Sequence, residues 1–217
     1  MPNKLADHPD WTYLLREIRE LYRQAGAGGS VKIRAHQRAV RENISKLISS
    51  NPEIEAQESE DKPVTVHLRR AMDNGRAGPT WQIIRTLDAV LPQLSWLYGY
   101  EKVPRGLANK YAFAEIAGHR GPVISPEVTL GVVLFGPKCT YPAHAHEGLT
   151  ESYYVLSGTV SENDAGVWAP GSMIFNPPGT MHRITVSALE PALLVYAWHG
   201  TRERLAGQEM KFTRRKS

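Results

Sequence analysis

Apolar residues recur at helical spacing through roughly the first hundred positions and then in alternation, so the chain reads as helices followed by strands. Trp11, Leu14, Leu15, Ile18, Leu21 and Tyr22 make one helical face, with Asp10 as the expected N-cap and Gly26 as the stop. A second helix is expected from about Ser30 to Ser50, with Ile33, Val40, Ile44, Leu47 and Ile48 on one side and Asn51-Pro52 ending it. The acidic, polar stretch 51–63 reads as a loop. A short helix around 66–72 follows, closed by Asn74-Gly75. A fourth runs from Thr80 to about Trp96, with Ile84, Leu87, Val90, Leu91 and Leu94 in register. Pro92 lacks an N–H and its ring clashes with the preceding turn, so it is expected to kink this helix or split it.

From Tyr111 the period shortens to two and turn residues arrive every eight to twelve positions. Strands are expected at 111–117, 128–135, 152–158, 172–176, 183–187 and 192–199. Many short strands at that spacing imply a β-sandwich or barrel. The organisation expected is therefore a helical segment over 1–105 and an all-β domain over 106–217. The amphipathic helices suit equally a lid over the β-domain and an oligomer contact.

Composition narrows the setting. With 217 residues, 41% hydrophobic and 22% charged, the chain can bury a substantial core. No apolar run approaches the ~18 residues that span a bilayer. The N-terminus MPNKLADHPDW lacks the apolar stretch of a signal peptide. The single cysteine, Cys139, rules out an intramolecular disulfide. A cytoplasmic protein is the expectation. The formal charge of +4 is partly in the tail Lys211-Phe212-Thr213-Arg214-Arg215-Lys216, expected to be a solvated end, and no nucleic-acid or membrane partner is expected. A mild positive charge would instead attract a small carboxylate.

The chemistry concentrates in Tyr141-Pro-Ala-His144-Ala-His146-Glu-Gly-Leu-Thr-Glu151-Ser-Tyr153-Tyr154 and, downstream, in Asn176-Pro-Pro-Gly179-Thr-Met-His182. In a strand, His144 and His146 would face the same way. Glu151 follows after a short turn and adds an oxygen, and the Pro-Pro-Gly turn sets His182 at the start of a strand. A polar pair facing a β-domain interior needs partners. One divalent metal ion bound by His144, His146, Glu151 and His182 provides them. Three imidazole nitrogens and a carboxylate suit Zn, Mn, Fe(II), Co or Ni, and the ligand set does not choose among them. His8, His36, His67, His119 and His199 read as ordinary surface or core residues.

These spacings resemble the two cupin motifs, the first from His144 to Gly158 and the second from Gly171 to His182. The resemblance implies a mostly β fold, a cupin antiparallel β-barrel (double-stranded β-helix) preceded by the α-helical N-terminal segment. The sequence departs from the motifs twice. The glycine expected six positions before His144 is missing, with Gly136 eight before it, and the closing asparagine is Val186.

Aromatic hydroxyls and indoles surround the ligands. Tyr153 shares the face of Glu151 and should point inward, whereas Tyr154 should point outward and pack. A phenol beside a divalent cation has a stabilised phenolate, which makes Tyr153 a candidate general base, while Glu151 counts both as ligand and as part of the catalytic pair. Tyr141, Tyr196 and Trp198 are candidates for substrate binding, their faces suited to a cation such as a sulfonium. The stretches Asp7-His-Pro-Asp-Trp-Thr-Tyr-Leu-Leu-Arg-Glu17 and Lys62-Pro-Val-Thr-Val-His-Leu-Arg-Arg-Ala71, with Glu151-Ser-Tyr153 and Ser161-Glu-Asn-Asp164, resemble the bacterial DddL-type dimethylsulfoniopropionate (DMSP) lyases nearly end to end. The resemblance implies a carbon-sulfur lyase that makes dimethyl sulfide and acrylate by β-elimination, with the Glu-x-Tyr tyrosine as base, and a cytoplasmic homodimer. The ligand set alone also allows an Fe(II)-dependent cupin dioxygenase acting on a small carboxylate, or a non-catalytic ligand sensor.

Overall fold

The computed structural model describes residues 3–100 and 102–207. The basic tail at 211–216 lies outside the described residues. The helices are α1 (Pro9–Gln24), α2 (Val31–Ser50), α3 (Leu68–Arg76), α4 (Trp81–Val90), α5 (Arg105–Ala108) and α6 (Arg202–Ala206). No helix among the described residues is long and apolar enough to cross a membrane.

Helix α1 opens on Pro9 with His8 rather than Asp10 at the cap, because a proline at the first helical position forfeits no intrahelical bond. It ends at Gln24, one residue before its Ala25 cap, so Gly26 lies beyond the helix. Ser30 caps α2 by accepting the Ile33 N–H at 3.3 Å, and Asn51 ends it in the left-handed region. Helix α3 runs through Asn74-Gly75 instead of stopping there. Gly75 serves space, since a Cβ would meet the Ile84 side chain of α4 at 2.7 Å. Pro92 splits the fourth helix as expected. A short 3-10 turn covers Leu91–Gln93, and the chain is extended at Leu94, so Leu94 and Trp96 are buried outside any helix.

Ten strands follow: β1 (Tyr111–Gly118), β2 (Val123–Ile124), β3 (Thr129–Phe135), β4 (Thr140–His144), β5 (Leu149–Ser157), β6 (Val160–Glu162), β7 (Val167–Trp168), β8 (Met173–Asn176), β9 (His182–Val186) and β10 (Ala192–Gly200). They form a six-stranded sheet, β2-β1-β3-β10-β5-β8, and a four-stranded sheet, β4-β9-β6-β7. Every ladder is antiparallel except β1 with β2, which is parallel. The cupin-like fold is thus a pair of sheets with helices before it, and the larger sheet is mixed.

Two apolar clusters show how the layers stack. Between the sheets lie Phe113, Phe135, Tyr153, Val155, Leu194 and Tyr196 from the larger one, against Tyr141, Val160, Ile184 and Val186 from the smaller. On the other face of the larger sheet, Ala114, Val132, Tyr154, Leu156 and Val195 pack with Trp11, Leu15, Ile44, Ile84 and Leu87 of the helices. Strands β1 and β3 are therefore buried along their whole length, which explains why β3 reads as the unbroken run TLGVVLF. Helices α1–α4 cover the back of the larger sheet rather than the space between the sheets. Tyr100 and Leu107, from the segment that follows them, join the inner cluster. The lone thiol of Cys139 is buried there too, and that burial pushes it up to about 12.

A polar contact crosses the helix–sheet layer directly behind the metal-ligand strand. The Tyr22 hydroxyl and His36 Nε2 meet Ser152 Oγ at 2.7 and 2.8 Å. Burial, helped by His199, pushes His36 down to about 4. An unfolded chain would take that proton near pH 6.5 while the native state refuses it. Stability is then fully present above the unfolded value and falls as pH drops toward about 4, by up to about 1.4 kcal/mol per pH unit. Urea unfolding at pH 7 and pH 5 should show an acid loss about 2 kcal/mol smaller in His36→Gln than in the wild type. Equal losses in the two proteins would clear His36 of this role.

Candidate metal centre

His144 ends β4, Glu151 lies in β5 and His182 opens β9. His146 was expected in the same strand as His144, but β4 stops at His144 and His146 sits two residues into the turn before β5. Pairing of β4 with β9 sets His144 opposite His182, with ring centroids 4.1 Å apart. His146 comes in from the turn to 5.2 Å from His144. One ligand atom from each of His144, His146, Glu151 and His182 lies within 4.8 Å of all the others, and all four residues are buried.

The hydrogen bonds around the quartet leave its inner atoms to a metal. His144 Nδ1 faces the Pro142 carbonyl at 2.9 Å and His182 Nδ1 faces the Thr180 carbonyl at 3.0 Å, each two residues back. A carbonyl only accepts, so each Nδ1 carries the proton and each Nε2 lone pair points inward. His144 Nε2 has no hydrogen-bond partner. Nε2 of His182 and Oε2 of Glu151 stand 2.8 Å apart without the geometry of a hydrogen bond. Trp198 donates its indole N–H to Glu151 Oε1 at 2.7 Å and fixes the carboxylate plane. Burial and the neighbouring His182 hold His144 down at about 4, so it is a neutral ligand at neutral pH. Burial alone would raise the Glu151 carboxyl, but His146 and His182 outweigh it and hold it well below the usual range. The donor set, its burial and its unpartnered atoms fit a divalent ion.

Trp198→Phe keeps an aromatic ring against His146 and Tyr196 but frees the carboxylate. Competition with a chromophoric chelator should show metal affinity about 10- to 100-fold weaker; unchanged affinity would mean that the indole N–H does not orient the ligand.

A cavity opens from this centre between the sheets. Tyr111, Phe113, Glu115, Tyr141, Glu151, Tyr153, Tyr196 and Trp198 are among its walls. Tyr141, Tyr153, Tyr196 and Trp198 are thus brought together with Glu151, the member of the quartet that lines the cavity. Tyr154 packs outward among the helices. Tyr141 donates to the Tyr111 hydroxyl at 3.2 Å. Burial first, then the charge of Glu151 and a hydrogen bond to it, hold the Tyr153 hydroxyl well above its ordinary range. Tyr111, Phe113 and Glu115 were not singled out from the sequence. Their alternation within the expected strand 111–117 is the signal that puts them on one face. Buried on both sides, that strand reads as uniformly apolar apart from Glu115, which hides which face looks inward.

A family model described as dimethylsulfoniopropionate lyase matches residues 35–194. A curated protein of Cereibacter sphaeroides, whose name assigns it provisionally as the dimethylsulfoniopropionate lyase DddL, is 50% identical over 97% of this chain and 90% of its own length. Among solved structures, a chain reported with the DMSP lyases RdDddP and RnDddQII superposes with a TM-score of 0.68 at 22% identity, over 95% of this chain and 98% of that one. The DMSP lyase DddQ of Ruegeria pomeroyi gives 0.68 at 17% identity, over 97% and 99%. At those identities the two structures speak for the fold.

Proposed function

The chain belongs to the dimethylsulfoniopropionate lyase family, and from that membership we propose that it cleaves DMSP to dimethyl sulfide and acrylate by β-elimination. In this reading His144, His146, Glu151 and His182 hold one divalent ion, and Tyr153 takes the proton α to the carboxylate. The observation that carries it is the double place of Glu151, which is a member of the buried quartet and lines the aromatic cavity together with Tyr153. Base and metal centre therefore share one aromatic cavity.

A divalent ion held by His144, His146, Glu151 and His182 would supply positive charge that favours the Tyr153 phenolate and polarises the substrate carboxylate. The Tyr153 oxygen then removes the Cα proton. The C–H electron pair becomes the Cα=Cβ double bond, and the Cβ–S pair leaves with sulfur as neutral dimethyl sulfide. The proton passes from Tyr153 to water, which restores the phenolate for the next turnover. Tyr196 and Trp198 present aromatic faces to the sulfonium, and Tyr141, tied to Tyr111, shapes the wall nearest the histidines. Homodimer formation and a cytoplasmic location belong to the same reading, to be checked by light scattering and cell fractionation.

Metal-loaded protein incubated with DMSP under nitrogen should release dimethyl sulfide and acrylate in equal amounts at the rate seen in air. A rate that requires oxygen would move the chain to the dioxygenase reading. No product from folded, metallated protein would withdraw DMSP as the substrate.

A further inference from the structure

The cavity has a second polar end that the elimination as written leaves unused. Glu115, Gly131, Tyr196 and Tyr153 form one cross-strand row over β1, β3, β10 and β5. With strands about 4.8 Å apart, Glu115 starts roughly 14 Å of backbone spacing from Tyr153 on the same face of the larger sheet. The row is built around a glycine on its second strand, β3. A Cβ on Gly131 would stand 2.5 Å from the ring of Tyr196, so the phenol lies flat across β3, toward β1. Its hydroxyl is buried and has no hydrogen-bond partner.

Glu115 is 6% exposed within an aromatic wall. Three features fix it. A β-bulge follows it in β1. The backbone N–H groups of Arg120, at 2.7 Å, and Gly121 donate to its carboxyl. Gly118, at φ +151°, leaves room for the carboxyl where a Cβ would collide with it. The other charged or titratable groups at this end are His119 and Arg120, both exposed, with the Tyr196 phenol.

We propose that Glu115 is a specificity-determining residue, whose carboxylate faces the cationic end of the bound substrate while the substrate's own carboxylate lies at the metal centre. This rests on the lyase reading above and extends it. The aromatic walls alone accept any bulky apolar group of the right size, whereas a buried anion favours a sulfonium or a quaternary ammonium over its neutral isostere. Burial lifts the Glu115 carboxyl to about 7, with the Arg120 amide and charge pulling the other way. A cation in the cavity favours its ionised form.

The alternative is that Glu115 only staples the 118–121 turn. Glu115→Gln keeps an acceptor for the backbone amides and removes the charge, so it separates the two roles. The probes are two isosteric carboxylates with no β leaving group, 4-(trimethylammonio)butanoate and 5,5-dimethylhexanoate, titrated calorimetrically into metal-loaded protein at pH 8. Wild type should bind the cationic probe about tenfold or more tighter than the neutral one. In Glu115→Gln that preference should collapse to about twofold or less through loss of the cationic probe alone. An unchanged preference, or a wild type that binds neither probe, overturns the proposal. If Glu115→Gln does not fold, the wild-type preference is read from pH 6 to pH 8. It should rise with pH, and a flat profile is the contrary result. Because the probes do not react, a collapsed preference without dimethyl sulfide formation would sink the lyase and keep the charge subsite. Dimethyl sulfide formation with an unmoved preference would do the reverse.

Discussion

A His182→Ala variant should fold, bind less than roughly a tenth of a metal ion per chain, and lose at least about 10³-fold in DMSP turnover. His182 is the ligand whose Nε2 stands 2.8 Å from Glu151 and whose pairing with His144 sets the register of edge strand β4 on β9. Its loss removes one of three nitrogens from a shell that has only four members. The rest of the fold is insulated, because β9 keeps Ile184 and Val186 in the inner cluster. The remaining carboxylate still accepts from Trp198. Plasma emission spectrometry of the purified variant, beside its circular dichroism, reads both halves of this outcome. One ion per chain with unchanged turnover would take His182 out of the metal centre.

Tyr153→Phe should separate binding from chemistry. The ring stays between Tyr196 and Ile174, its cross-strand neighbours, so the fold and one ion per chain are retained. What goes is the hydroxyl proposed as the base. Removing a general base costs about 10² to 10⁴ in rate, and kcat should fall by that amount with KM little changed. Tyr141→Phe is the control, since its hydroxyl is engaged with Tyr111 at 3.2 Å. If Tyr141→Phe abolished turnover and Tyr153→Phe did not, the base would be Tyr141.

The parts legible in the sequence are those where local chemistry and spacing coincide. The quartet could be read because its members stand within a few residues of two turns, and because buried imidazoles beside a carboxylate have few other uses. The inward aim of Tyr153 followed from strand alternation alone. His146 was misassigned to a strand because alternation assumes that the strand continues, and β4 stops short of it. The strands β2, β6 and β7 are two or three residues long, too short for a period to register. Where the helices would sit was not legible, since an apolar stripe states only that something covers it. The continuous apolar runs of β1 and β3 carried that information, because strands buried on both faces imply a second layer. Glu115 escaped notice for the same reason that makes it interesting, being one acid in an otherwise apolar strand.

The most direct measurement is the initial rate of dimethyl sulfide release from metal-stripped protein as a divalent ion is added back, plotted against ions bound per chain. A metal-dependent lyase built on this quartet gives no rate at zero loading and a linear rise that breaks at one ion per chain. Full activity in the stripped protein, or none at any loading of folded protein, would contradict it.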